Sequence, residues 1–211
     1  MNALILIRLN YILSRHYYTA SHATTLFFAT IYGRSSGSLC RSVSLGFSAS
    51  RRYDRRASHK GILVRNGDDR TNEPFEFLDA TFTVKVSAKD TQGRCVIFDT
   101  LRRGKIGPIL HVHLKMGEWF YVLDGEFKFQ VDEEIMRLKT GDTLFVPRNV
   151  KHAFVKTSEG AARLIVMHQP AGTMEEYFRT ASKMPDQRPE ARKELAAKND
   201  TIFVGGRLDP D

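Results

Sequence analysis

The chain has 211 residues, 42% of them hydrophobic and 27% charged, with a formal net charge of +8. That is enough for one domain of ordinary size with appended segments. The charge is uneven: residues 1–53 hold six arginines, nine serines and no acid, whereas the other 158 carry 26 lysines and arginines against 24 acids. Most of the chain is therefore nearly balanced and offers phosphates no strong attraction, which argues against a nucleic-acid partner. The two cysteines, Cys40 and Cys95, fall one in each compositional region and make no disulfide framework.

Residues 1–58 read as a leader. An Arg- and Ser-rich, acid-free start is the composition of a mitochondrial or plastid transit peptide in a eukaryotic source. A secretory signal and upstream sequence from a misplaced start site are the alternatives, the last leaving a cytoplasmic protein. Its apolar pieces are interrupted by Arg8, Arg15, His16 and His22, so none reaches the eighteen or so residues of a membrane span.

Residues 59–79 form an arm leading into the core, with a turn at Asn66-Gly67-Asp68-Asp69 and a first anchoring segment in P-F-E-F. T-F-T-V-K-V-S then alternates, with Phe82, Val84 and Val86 on one face, and Gln92-Gly93 turns it into R-C-V-I-F-D. The loop R-R-G-K-I-G-P delivers the chain to a histidine-bearing strand. E-W-F-Y-V-L stops at Asp124-Gly125, a strong two-residue hairpin signal. Five more short runs rich in β-branched and aromatic residues follow, punctuated by D-E-E, T-G-D, P-R-N and S-E-G. This pattern predicts an antiparallel barrel or double-sheet roll.

After Met167 the period changes. Met174, Tyr177 and Phe178 mark a helical face, and P-E-A-R-K-E-L-A-A-K starts a second helix with proline in its first turn. Residues 171–211 thus read as a helical extension lying on the barrel exterior or over its mouth. The final T-I-F-V-G-G-R-L either returns as a strand or reaches a second subunit. Trp119 and Tyr121 have the opposite parity to Glu118, so they need cover from another sheet or from the second copy of a homodimer.

The chemistry concentrates in four side chains: His111, His113, Glu118 and His152. The i, i+2 spacing of His111 and His113 sends both imidazoles off the same side of a strand. Three imidazoles and a carboxylate are the ligand set of a borderline divalent transition metal.

These residues resemble the cupin family, whose first motif reads G-x5-H-x-H-x3,4-E-x6-G and whose second reads G-x5-P-x-G-x2-H-x3-N. Here the corresponding stretches are H-V-H-L-K-M-G-E-W-F-Y-V-L-D-G (111–125) and G-D-T-L-F-V-P-R-N-V-K-H-A-F-V-K (141–156). The resemblance covers residues 80–170. It departs at Gly107, which is off the leading-glycine offset, at Asn149 in place of a glycine, and at Lys156 in place of an asparagine; none is a ligand position.

The resemblance implies an all-β, antiparallel jelly-roll barrel over 80–170 with short C-terminal helices, and a divalent metal on His111, His113, Glu118 and His152. Fe(II), Mn(II) or Ni(II) fits better than Zn(II), because four ligands leave an octahedral ion open for a small-molecule substrate. Phe120, Val122 and Phe154 share parity with the ligands and would wall the substrate pocket, unless they simply fill the barrel; Lys156 would lie at the rim. Glu118 is the candidate catalytic base, able to leave the metal when substrate arrives. His168 ends a core strand and is expected to stay outside the quartet. The activity implied is that of a metal-dependent dioxygenase acting on a small aromatic or hydrophobic substrate with O2. A cupin isomerase or decarboxylase, or a ligand-binding module without catalysis, is the alternative, since the fold alone does not choose.

Overall fold

The computed structural model describes residues 61–185 and 188–211. The proposed leader, with the first two residues of the arm, lies outside the described residues. The strands, in chain order, are β1 (Phe75–Phe77), β2 (Ala80–Val86), β3 (Val96–Arg102), β4 (Ile109–Val112), β5 (Gly117–Asp124) and β6 (Glu126–Val131). They continue with β7 (Glu134–Lys139), β8 (Thr143–Val146), β9 (His152–Lys156) and β10 (Ala162–Gln169). Helices α1 (Met174–Lys183) and α2 (Pro189–Lys198) precede the last strand, β11 (Ile202–Arg207).

All pairings are antiparallel, and they make two sheets: one of six strands in the order β1-β2-β3-β10-β5-β8, one of five in the order β11-β4-β9-β6-β7. The double-sheet form of the sequence reading is the one adopted, and hydrogen bonding does not close the sheets into a barrel. The reason shows at Asp124-Gly125. These residues do not close a hairpin, because β5 belongs to the first sheet and β6 to the second. Gly125 turns the corner at φ 86°, where an added Cβ would stand 2.6 Å from Ala162 Cβ and 2.8 Å from Ser158 Oγ. A true two-residue hairpin occurs instead at Asp132-Glu133, between β6 and β7, with Asp132 at φ 50°.

Alternation gives each sheet an apolar inner face. Phe120, Val122, Phe127, Phe129, Phe154 and Leu164 form one buried cluster, and Phe75, Phe82, Val84, Phe98, Met174 and Tyr177 form another beneath α1. Each such side chain contributes about 1.5–3 kcal/mol on leaving water. Trp119 and Tyr121 stack on the outer face, centroids 6.1 Å apart, with Phe145 exposed opposite Trp119.

The stretch after residue 170 is not wholly helical. β11 pairs with β4 and forms the edge of the five-stranded sheet, because Ile202 and Phe203 can bury against a strand that otherwise has a free edge. Helix α1 is pinned by its acidic first turn and its central arginine. Glu175 accepts from Ser87 Oγ at 2.8 Å and from Ala88 N at 3.2 Å, while Arg179 donates to Glu73 O at 2.8 Å and lies over the Phe75 ring. Among the described residues, no helix is long and apolar enough to cross a membrane.

The arm before β1 is organised by one carboxylate. Asp69 Oδ1 accepts from Thr71 N (2.8 Å), Thr71 Oγ1 (2.7 Å) and Glu73 N (3.1 Å), and Oδ2 accepts from Val84 N (2.6 Å). Burial alone would raise its pKa, but the hydrogen bonds from Thr71, Val84 and Glu73 outweigh burial and hold it below the usual value. The Asp69→Asn variant must turn an NH2 group toward one of these N–H donors, so we expect a loss of about 1–3 kcal/mol at neutral pH in urea denaturation. A lowered folded-state pKa gives stability that is present above the unfolded value and lost as pH falls through the folded one. The gap between wild type and variant should therefore shrink below about pH 4; a pH-independent gap would refute the charge-based account.

Candidate metal centre

Two cross-strand pairs supply most of the site, one from each sheet. On the five-stranded sheet His111 of β4 is the register partner of His152 of β9. On the six-stranded sheet Glu118 of β5 is the register partner of His168 of β10. His113, one residue beyond β4, adds a further imidazole. All five side chains are buried. The Nε2 atoms of His152, His113 and His111 lie 2.8, 3.3 and 4.0 Å from Glu118 Oε2, and His168 Nε2 lies 3.2 Å from Oε1. One ligating atom from each of His111, His113, Glu118 and His152 falls within 4.8 Å of all the others. The four residues singled out in the sequence therefore converge.

The rings are held from behind. His111 Nδ1 donates to Ile109 O (2.8 Å), His113 Nδ1 to Asp200 O (2.7 Å) and His152 Nδ1 to Val150 O (3.1 Å). A carbonyl can only accept, so each Nδ1 carries the proton, and a ring that is otherwise unprotonated presents its Nε2 lone pair to the centre. Three lone pairs facing a carboxylate form a ring of acceptors that only a proton or a metal cation between them can reconcile. His113 Nε2 has no hydrogen-bond partner although it is fully enclosed. Such nitrogen and oxygen donors, anchored through the far ring nitrogen, fit a divalent transition metal.

The local electrostatics follow from burial and from Glu118. Burial pushes His111 well below the usual imidazole pKa, and its neighbours His152 and His113 push the same way. Burial also opposes protonation of His113, but the Glu118 carboxylate 3.3 Å away, with help from Asp200, carries it above the usual value. Burial would raise Glu118, yet the surrounding His168, His113 and His152 hold it well below the ordinary carboxylate range. His168 is lowered by burial despite Glu118.

A cavity opens beside the centre, between the sheets and the C-terminal segment. His111, His113, Glu118 and His168 reach it, with Phe154 and Val166 from the sheets and Met174, Tyr177 and Phe178 from α1. The helices thus cover the mouth. Burial raises the Tyr177 phenol to about 12, so it stays protonated and able to donate.

Of the predicted pocket walls, Phe154 lines the cavity while Phe120 and Val122 do not; both sit in the core cluster with Phe127 and Phe129. The centre is at Glu118, near the start of β5, and each second residue moves about 6–7 Å along a strand, so Val122 points inward beyond the site, while Phe120 packs edge-on against the His152 ring, centroids 6.2 Å apart, without reaching the cavity. Lys156 is also off the rim: it is buried, and its Nζ donates to Gly160 O.

His168 is closer to the chemistry than the sequence reading placed it. The signal was present as parity: Leu164, Val166 and His168 alternate inward along β10. Two backbone devices that fix His113 were missed as well. Asn149, at φ 67°, donates its N–H to His113 O at 2.7 Å, and Asp200, at φ 59°, receives the His113 ring on its carbonyl. The Asp200 carboxylate also accepts from Leu114 N (3.2 Å) and Lys115 N (2.9 Å), clasping the loop that carries His113.

Residues 98–168 match the family described as Cupin domain. Over 55 residues the chain is 36% identical to Protein SchB of Streptomyces halstedii, a match that covers 26% of this chain and 40% of that protein. The chain thus spans well under half the length of that curated relative. Among solved structures, the fold is similar to a predicted oxalate decarboxylase from Thermotoga maritima, with 16% identity, 52% of this chain and 99% of that one covered, and a TM-score of 0.47. It is also similar to KdgF from Halomonas sp. (17% identity, 53% and 94% covered, TM-score 0.45) and to an RmlC-like cupin from Shewanella frigidimarina (24%, 47% and 84%, 0.41).

Loss of the Asp200 clasp should be felt at the centre. We expect Asp200→Ala to weaken binding of a divalent transition metal by about 10-fold or more, the usual scale for a group that orients a ligand. Asp200→Asn, which tolerates the left-handed backbone and keeps one acceptor, should lose less. Competition titration against a chromophoric chelator reads both, and unchanged affinity in Asp200→Ala would show that His113 is held without it.

Proposed function

With residues 98–168 a cupin domain, we propose that the protein is a metal-dependent oxidoreductase of the dioxygenase type, its two sheets forming a jelly roll around a divalent transition metal and a small-molecule site. The observation that carries this reading is the ring of three Nε2 lone pairs, each fixed by a carbonyl behind it, around the Glu118 carboxylate. Fe(II), Mn(II) or Ni(II) is preferred over Zn(II), because those ions keep open positions beside four protein ligands. Such an ion supplies Lewis acidity and, with O2, redox chemistry.

The chain's own residues do the rest. His111, His113 and His152 hold their tautomers and so present fixed donors. Phe154, Val166 and Phe178 give the cavity apolar walls that exclude water and accept an aromatic or hydrophobic body. Glu118 holds a carboxylate where a substrate proton can be taken, and Tyr177 offers a hydroxyl from the covering helix.

A second reading, proton-transfer chemistry of the isomerase or decarboxylase kind, gains from His168. Its Nε2 lies 3.2 Å from Glu118 Oε1, on the side away from the three anchored imidazoles' shared oxygen, so Glu118 and His168 can pass a proton between them.

Metal analysis of the purified protein, followed by oxygen-electrode measurements with catechols and flavonols, tests the first reading. We expect stoichiometric metal in the wild type, none in His113→Ala, and roughly 10-fold weaker but still stoichiometric binding in His168→Ala, which removes only a neighbour of Glu118. A metal-loaded protein that consumes no O2 with any of these substrates would favour the second reading. A protein that retains no metal would defeat both.

A further inference from the structure

We infer that the cavity beside the centre takes a small organic carboxylate on an apolar body, recognised by Arg102. The inference rests on reading this cavity as the substrate site.

Arg102 ends β3 and lines the cavity, yet it is only 4% exposed. Its guanidinium lies over the Phe154 ring, 4.6 Å from the centroid, which fixes its plane. Of its donors, Nη1 bonds Asp79 Oδ1 at 3.3 Å, while the enclosed Nε has no partner. A guanidinium has five N–H donors in a rigid fork suited to a carboxylate, and leaving an enclosed one unmet is costly. Burial lowers its pKa to about 10, against the pull of Asp79, so it remains a cation at neutral pH.

The remaining charges point the same way. Arg192 and Arg207 also line the cavity, and Arg192 is near enough to depress Arg207 further after burial has done so. Among the described residues that line the cavity the one acid is Glu118, whose charge is already engaged by imidazoles. Asp79 pairs with Arg102 and also acts on Arg207. Arg102 thus remains a cation with an unmet N–H in low-dielectric surroundings, and a divalent metal at the quartet would add to the attraction for an anion. The cavity's other walls, Phe77, Phe178, Leu195 and Phe203, have nothing to offer the many oxygens of a phosphate or sugar but match a hydrocarbon or aromatic body. A monoanion with one planar, two-oxygen head satisfies both halves.

Calorimetric titration of the full chain with 3-phenylpropanoate and with the isosteric 3-phenylpropanamide tests this, on protein as purified and after chelator treatment. We expect the carboxylate to bind about tenfold or more tighter than the amide in both preparations, and Arg102→Met to lose about that factor. Arg207→Gln, at an exposed edge-strand position whose guanidinium also donates to Gly107 O, should weaken the acid and leave the amide alone. Equal binding of acid and amide, wild-type affinity in Arg207→Gln, or absence of binding by every acid from benzoate to 4-phenylbutanoate would overturn the proposal. So would acid binding that vanishes with the metal, since the carboxylate would then belong to the ion rather than to the arginine. Failure of the metal reading is separately visible, because the acid-to-amide comparison needs no bound metal.

Discussion

The Glu118 carboxylate, buried where two sheets face each other, is the constraint around which the rest is arranged. Taking a carboxylate out of water costs several kcal/mol unless partners replace its hydration. Here the partners are imidazoles from β4, β9, β10 and the loop after β4. Two of these contacts depend on strand register. His111 is set opposite His152, and Glu118 opposite His168. A slip of one residue in either pairing would turn a ligand to the outer face and leave the acid unmatched. The apolar clusters on either side enforce that register, since the same slip would expose Phe120 and Phe129 on one side or Phe82 and Phe98 on the other.

The C-terminal segment finishes what the sheets begin. Its Asp200 carbonyl fixes the His113 ring, its β11 covers the edge of β4, and α1 closes the cavity with Met174, Tyr177 and Phe178. These roles are physically linked. Helix α2 ends at Lys198 and is capped by Asn199, Asp200 takes the left-handed turn, and Thr201 begins the run into β11, so the length and exit of α2 determine where the Asp200 carbonyl falls. A segment that looked like a cover in the sequence is also part of the scaffold of the site.

How far the sequence foretold this depends on the range of the interaction concerned. The ligands were legible because i, i+2 parity and motif spacing are local, and the turn residues marked the strands; Asn149 adopts the left-handed backbone that its chemistry allows. The partition into two sheets was not legible, because Asp124-Gly125 carries the same hairpin signal whether the next strand pairs with β5 or crosses to the opposite sheet. What decides is the close approach of Ala162 and Ser158 to Gly125, more than thirty residues away in the chain. Parity places Phe120 and Val122 on the inner face but does not fix their depth: Phe120 backs the His152 ring and Val122 sits in the core, and neither lines the cavity. His168 and Arg102 escaped because each follows or ends a strand whose inward parity was visible, but whose opposite number, Glu118 or Asp79, lies on another element.

Where the fold leaves polar atoms unmet is itself informative. Among the described residues, five enclosed side-chain polar atoms have no hydrogen-bond partner, and four of them belong to Arg102, His113 and His168. All three residues line the same cavity. Each unmet group costs about 1–3 kcal/mol, so their concentration amounts to a substantial fraction of the 5–15 or so kcal/mol by which a domain is usually stable. Elsewhere the chain satisfies its buried groups with care, as the four bonds to Asp69 show. A sequence able to do that at the arm has no structural need for a charged fork and the His113 and His168 rings around an apolar cavity. A cation at the imidazoles and an anion at the guanidinium are the partners that the chemistry of these groups matches.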